Sequence, residues 1–230
     1  MIYPFYFDWT YLLIIPGMIL GLWAQAKVKS TYHEYSRVAT RLGKPASVVV
    51  DDLLRRNGNH AVSIGRVSGS LTDHYNPSKE TLNLSEGVYG SASVAALGIA
   101  AHEAGHAMQK HDGYAPLSLR TMIVPAVNIC SSLSTPLFVL GLIMSWQPLT
   151  TIGIVLFAAS TVFALVTLPV EFNASRRAVA MLTEGGYVTG DEERGVRKVL
   201  NAAALTYVAA AVTSLLSLLR LVLIANRRRD

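Results

Sequence analysis

The chain has 230 residues, of which 51% are hydrophobic and only 15% are Asp, Glu, Lys or Arg, against roughly 25% charged in an ordinary soluble domain. Mean hydropathy is +0.37 and net charge is +5, which excludes a disordered chain, because disorder needs low hydrophobicity. The single Cys130 excludes a disulfide scaffold, and the composition favours a membrane protein with no role in nucleic-acid binding.

A helix crossing a bilayer needs about 20 mostly apolar residues, and four stretches qualify. The first runs from about Phe5 to Ala24, with Trp9, Tyr11 and Trp23 suited to the interfacial belts. No basic residue precedes it, so it reads as a retained anchor and not a signal peptide. A polar block follows, from Gln25 to Ser118. Within it the pattern predicts a helix over Ser30 to Leu42 closed by Gly43. A second helix is predicted to Arg56 with Ser47 as N-cap. A short β-like stretch spans Ala61 to Val67, and a hairpin over residues 71–85 turns at Asn76-Pro77-Ser78-Lys79. A long helix is predicted from about Ser91 to Gln109.

The second and third apolar stretches, about Leu119 to Trp146 and Leu149 to Val170, are separated only around Gln147-Pro148 and form a membrane hairpin. A second polar block, Glu171 to Asn201, precedes the fourth stretch, about Ala202 to Ile224. The two polar blocks carry most of the basic residues, which by the positive-inside rule puts both in the cytoplasm. The tail Arg227-Arg228-Arg229 resists that rule if the fourth segment spans fully. Arg220 within it favours a tilted or partly inserted helix whose tail stays with the headgroups. Cys130 reads as a small packing residue of the second stretch.

The predicted helix ending at Gln109 contains His102-Glu103-Ala104-Gly105-His106, an H-E-x-x-H motif. Residues i and i+4 share a helix face, so both imidazoles point at one spot and can bind Zn²⁺. The intervening Glu103 can act as general base on an activated water. Apolar residues such as Val94, Leu97 and Ile99 precede the motif, so the helix is expected to be buried. Buried histidines and a buried Glu are costly without a metal or other partner.

A catalytic zinc needs a third protein ligand, and three residues are candidates. Asp112 would extend the motif, but Gln109 stands where a turn-forming Gly is needed. His74 lies in the predicted hairpin. Glu171 is favoured: it follows directly on an uncharged apolar run, and the membrane hairpin returns the chain to the side of the His102 helix.

These residues carry a resemblance. The stretches Leu71 to Pro77, Val94 to Ala107, Glu171 to Ala178 and Ala204 to Ala210 resemble the YugP family of neutral zinc metallopeptidases, nearly end to end. More distantly, the His helix, the membrane hairpin and the Glu171 motif look like HtpX-type and CAAX-processing membrane proteases. Those are gluzincins, in which a Glu on a later helix is the third ligand. The resemblance implies His102, His106 and Glu171 as zinc ligands and Glu103 as base and proton shuttle. It implies a mainly α membrane protein of about four apolar helices, with a small α+β gluzincin-like peptidase domain inserted between the first and second. The HtpX-type pattern has an Asp four residues after the ligand Glu, where this chain has Ser175.

The organisation expected is an anchor (1–24), a cytoplasmic α+β domain (25–118), a transmembrane hairpin (119–170), a cytoplasmic helix with the third ligand (171–201), and an apolar helix with a basic tail (202–230). The function expected is a multi-pass zinc endopeptidase in the plasma membrane of a prokaryote, cutting protein or peptide substrates near the cytoplasmic face. Arg176, Arg177 and His74 are candidate oxyanion donors, though each reads more simply as a surface, membrane-edge or packing residue, and one arginine of the pair could bind lipid phosphate. The 71–85 hairpin could offer a sheet edge to an extended peptide. An intramembrane site-2-type protease is disfavoured, since the only Asp-Gly, Asp112-Gly113, follows His106 too closely to return as a ligand. A zinc-stabilised membrane adaptor is the alternative, and Glu103 argues against it, because a purely structural site has no use for a base.

Overall fold

The computed structural model describes residues 8–227; the expectations that fall on Phe5, Arg228 and Arg229 lie outside them. The chain forms two compact units. Of the described residues, the first takes 8–23, 120–167 and 206–227, and the second takes 24–119 and 168–205.

The first unit is helical. Among the described residues four helical segments, each with one end in the second unit, are long and apolar enough to cross a membrane: Trp9–Tyr35, Ala115–Ile143, Gln147–Glu184 and Asp191–Asn226. The first opens as a 3₁₀ turn, Trp9–Leu13, and continues as α1, Ile15–Tyr35. The others are α5 (Ala115–Ile143), α6 (Gln147–Glu184) and α7 (Asp191–Asn226). Apolar side chains lie on its outside: Met122 is 76% exposed and Ile143 73%, a surface suited to lipid and not to water. The hairpin of α5 and α6 is held close by Gly153, where a Cβ would fall 2.6 Å from the backbone nitrogen of Phe138.

Helix α7 is continuous to Asn226, and Arg220 within it is satisfied inside this unit. Its guanidinium donates to Thr10 Oγ1 (3.2 Å), stacks 4.0 Å from the Tyr11 ring and lies 3.9 Å from Asp8. Arg227 lies 3.4 Å from the same carboxylate. The start of the first apolar segment and the end of the last therefore meet, and Asp8 offsets the basic residues there. Arg220 marks an internal ion pair in an unbroken helix.

The second unit combines helices with a small sheet. Strands β1 (Ser63–Val67), β2 (His74–Asn76) and β3 (Thr81–Ser85) lie in the order β1-β3-β2. β2 and β3 form the expected antiparallel hairpin, with Tyr75 opposite Leu82. β1 pairs with β3 in parallel, Ile64 opposite Leu82. That pairing is long-range and has no signature in the local sequence. Helices α2 (Ala46–Arg56), α3 (Glu86–Tyr89) and α4 (Val94–His111) pack together beside the sheet.

The core of this unit follows from helix periodicity. On α2, Val49, Val50, Leu53 and Leu54 form one buried face, while Asp51–Arg55 and Asp52–Arg56 pair one turn apart on the exposed face. They pack with Leu82 and Leu84 of β3, Leu97 and Ala100 of α4, Leu182 of α6 and Val196 of α7. Each buried Val or Leu side chain contributes about 1.5–3 kcal/mol on burial.

Three local expectations are corrected. The helix expected over Ser30 to Leu42 ends at Tyr35 as the continuation of α1. Beyond it Val38 accepts a hydrogen bond from Val94 N, and Thr40 N donates to Ala92 O, so tertiary partners displace helical ones; Gly43, at φ 61°, closes the turn that follows. The N-cap of α2 is Pro45, not Ser47. The Ala46 amide bonds Ser91 O at 2.8 Å, so no side-chain cap is needed there. Helix α4 starts at Val94, with Ser93 accepting from Ala96 N, and reaches His111.

Candidate metal centre

The site lies wholly in the second unit, on α4 and α6. Because α4 is capped by Ser93 and buried along most of its length, His102 and His106 point together, one turn apart. Their rings meet edge to face at a centroid distance of 4.8 Å. Facing them is Glu171 of α6, 2% exposed. Its Oε2 lies 3.2 Å from His102 Nε2 and 3.5 Å from His106 Nε2.

The close approach of the two helices has a single-residue cause. At Gly105, inside the H-E-x-x-H motif, a Cβ would lie 2.5 Å from the carbonyl oxygen of Ala174. The two backbones therefore touch beside the histidines, and this brings Glu171 within reach of both. Pro169 removes one backbone donor from α6 two residues before Glu171.

Each imidazole is oriented from behind. His106 Nδ1–H donates to Gln109 Oε1 at 3.0 Å. The Gln109 amide, completely buried, donates to Val170 O (2.8 Å) and Asn173 Oδ1 (2.9 Å). Asn173 Oδ1 also accepts from Arg177 Nε at 2.9 Å, and Arg177 pairs with Asp112. With His102 Nε2 turned toward Glu171, its Nδ1–H meets Ser175 Oγ at 3.2 Å. Both rings thus present Nε2 to Glu171, as the hydrogen bond on the other nitrogen dictates.

Glu103 is half-buried and accepts from the backbone N–H of Tyr75, on edge strand β2, at 2.9 Å. Burial pushes its carboxyl above the ordinary range, and the two imidazoles and the Tyr75 amide oppose this without cancelling it. For His106, burial pulls the imidazole down. Its hydrogen bond to Glu171 and the charges of Glu103 and Glu171 outweigh burial and raise it. Two carboxylates beside two imidazoles favour positive charge at their meeting point.

The donor set fits zinc. Ligand atoms 2.0–2.1 Å from a tetrahedral metal are about 3.4 Å apart, and the two contacts of Glu171 bracket that spacing. Among the described residues His102, His106 and Glu171 form a cluster able to hold a metal ion, with ligand atoms within 4.8 Å of one another. Asp112 is outside the cluster, paired with Arg177. His74 is exposed, with Nδ1–H donating to Thr72 O and Nε2 accepting from Asn83. Neither is brought to the histidines.

Four contributors were not singled out by sequence: Gly105, Gln109, Asn173 and Tyr75. Gln109 carried a signal, since it sits three residues after His106 and seven after His102, on the same helix face. Gly105 carried one as well, as the only non-alanine residue between Glu103 and His106. For Asn173 and Tyr75 the contacts are long-range and leave no local mark.

Residues 10–226 match the family described as "putative neutral zinc metallopeptidase", and the chain belongs to that family. Among curated proteins it is 45% identical, over 95% of its own length and 97% of the relative's, to a protein of Bacillus subtilis (strain 168) named "putative membrane protease YugP". No solved structure matches the chain.

Proposed function

We propose that this protein is a membrane-anchored zinc endopeptidase with His102, His106 and Glu171 as metal ligands and Glu103 as general base and proton shuttle. The observation that carries the reading is the convergence of both Nε2 atoms on Glu171 Oε2 at 3.2 and 3.5 Å, with Glu103 on the same helix. A Zn²⁺ ion held there supplies Lewis acidity to a scissile carbonyl and its attacking water. Glu103, its carboxyl raised by burial, takes the proton of that water and returns it to the leaving amine. Gln109 and Ser175 keep both imidazoles in the tautomer that leaves Nε2 free for metal.

Strand β2 is an edge of the sheet, with Tyr75 N–H turned to Glu103. An extended peptide laid along this edge would meet the base directly, and backbone pairing of that kind recognises chain and not sequence. The architecture reads as gluzincin-like, an α+β domain inserted between the first and second apolar helices and completed by residues of α6. The basic residues of the two polar blocks support a cytoplasmic location for it in the plasma membrane of a prokaryote.

The test is cleavage of an unfolded membrane-protein substrate by the full-length protein in detergent. Glu103→Gln is expected to keep its zinc and lose cleavage by about 10²–10⁴-fold, the contribution of a positioned base. Full activity in Glu103→Gln would contradict the reading.

A further inference from the structure

Ser175, whose Oγ meets His102 Nδ1, also lines a cleft of about 500 Å³ formed by α6 and α7 within the second unit. None of His102, Glu103, His106 and Glu171 borders it, so it is a separate recess from the metal centre. Its walls divide by chemistry. Phe172, Val179 and Leu200 give an apolar side, and Arg176, Arg197 and Asn201 give a side rich in donors.

The charge in the cleft is unbalanced. Arg197 pairs with Glu193 one turn earlier on its own helix at 2.7 Å. Arg176 is exposed and has no ion-pair or hydrogen-bond partner among the described residues. The cleft therefore carries two guanidinium groups of which only that of Arg197 has a carboxylate partner, with the Asn201 amide on the same side. A planar guanidinium fork matches phosphate oxygens, and a pair of them recognises an anion more strongly than a lone lysine would.

The apolar side and the position along the helices narrow the ligand further. The cleft also touches Pro169 on α6 and Ala204 on α7, the residues at which both helices pass into their long apolar stretches. A ligand here must combine an anionic group with an apolar body. A small soluble anion would leave Phe172, which is 42% exposed, uncovered.

We propose that this cleft binds an anionic phospholipid of the surrounding membrane, its phosphate held by Arg176 and Arg197 and its glycerol and first acyl carbons against Phe172, Val179 and Leu200. Asn201 donates to the headgroup. The site stands independently of the hydrolytic reading, because no proposed metal ligand takes part in it.

The experiment uses the full-length protein in a neutral detergent, titrated with dihexanoyl-phosphatidylglycerol, dihexanoyl-phosphatidylcholine, inorganic phosphate and an acetylated acidic peptide. Binding is read by calorimetry and fold by circular dichroism. Phosphatidylglycerol is expected to bind tightest, and Arg176→Gln and Arg197→Gln are each expected to weaken it about fivefold. Asn201→Trp, which fills the cleft without changing its charge, is expected to abolish binding of both lipids. Arg55→Gln, elsewhere on the same unit, is expected to change nothing. Equal affinity for the two lipids, or unchanged binding in both arginine variants, would overturn the proposal. Phosphate binding as tightly as phosphatidylglycerol would reassign the cleft to a soluble anion. Displacement of the lipid by the peptide at equal concentration would reassign it to substrate. Either result overturns the lipid assignment.

Discussion

The helices of the apolar unit and the pair α4 and α6 of the polar unit differ in where most of their polar side chains find partners. In the apolar unit most hydroxyls turn back on their own helix: Thr167 bonds Phe163 O at 2.9 Å, Thr213 bonds Ala209 O at 2.7 Å and Ser134 bonds Ser131 O at 3.0 Å, with Thr10 and Thr161 the exceptions that reach another segment. Between α4 and α6 of the polar unit, amides and a hydroxyl reach from one helix to the other. Gln109 of α4 bonds Val170 O and Asn173 of α6, and Ser175 of α6 bonds His102 of α4. A hydroxyl satisfied within its own turn places no demand on its neighbour, so packing decides most of how such helices lie together. A bond between helices fixes their register. The proposed metal centre would need that register, because Glu171 must stand opposite two histidines of another helix to within a fraction of an ångström.

If this contrast is right, the largest effect belongs to the residue that sets the distance between α4 and α6. Gly105→Ala places a methyl against Ala174 O and is expected to separate the helices, lowering zinc affinity by more than 100-fold and stability by about 1–3 kcal/mol. Competition with a chromophoric chelator measures the first, and thermal unfolding the second. Next comes Gln109→Leu, which removes the acceptor for His106 Nδ1–H while keeping the site filled. Its expected cost is about 10–100-fold in zinc affinity, with helix content unchanged.

Ser175 offers a change of either sign. Ser175→Ala is expected to weaken zinc binding by about tenfold or less, and Ser175→Asp to strengthen it, because a charged acceptor on His102 Nδ1 raises the basicity of Nε2. Equal affinities in both variants would show that His102 is oriented by packing alone. The smallest effect belongs to the apolar unit. Thr167→Ala removes only a bond to its own helix and is expected to change stability by less than about 0.5 kcal/mol. Thr161 also meets Ser214 of α7 at 2.8 Å, so Thr161→Ala is expected to cost about 0.6 kcal/mol, the usual worth of a hydrogen bond between membrane helices.

What could be read from sequence divides along the same line. The apolar helices announce themselves by composition, and the pairing of His102 with His106 by the period of the α-helix, because both signals are local. Glu171 was also legible, as a carboxylate ending a long uncharged run. The bonds between helices were not. Gln109 read as a departure, a residue standing where a turn-forming Gly would return Asp112 to a metal. In the fold it is a buried crosslink, and Asp112 is held away by Arg177. The end of α1 at Tyr35 and the parallel pairing of β1 with β3 escaped for the same reason, since their partners lie far along the chain.

The central claim is that α4 and α6 together hold one zinc ion through His102, His106 and Glu171. Its most direct test is the zinc content of the purified full-length protein, by mass spectrometry of the element, beside that of Glu171→Ala and Glu103→Gln. One equivalent is expected in the wild type and in Glu103→Gln, with near-complete loss in Glu171→Ala. A full equivalent retained by a folded Glu171→Ala would contradict the account.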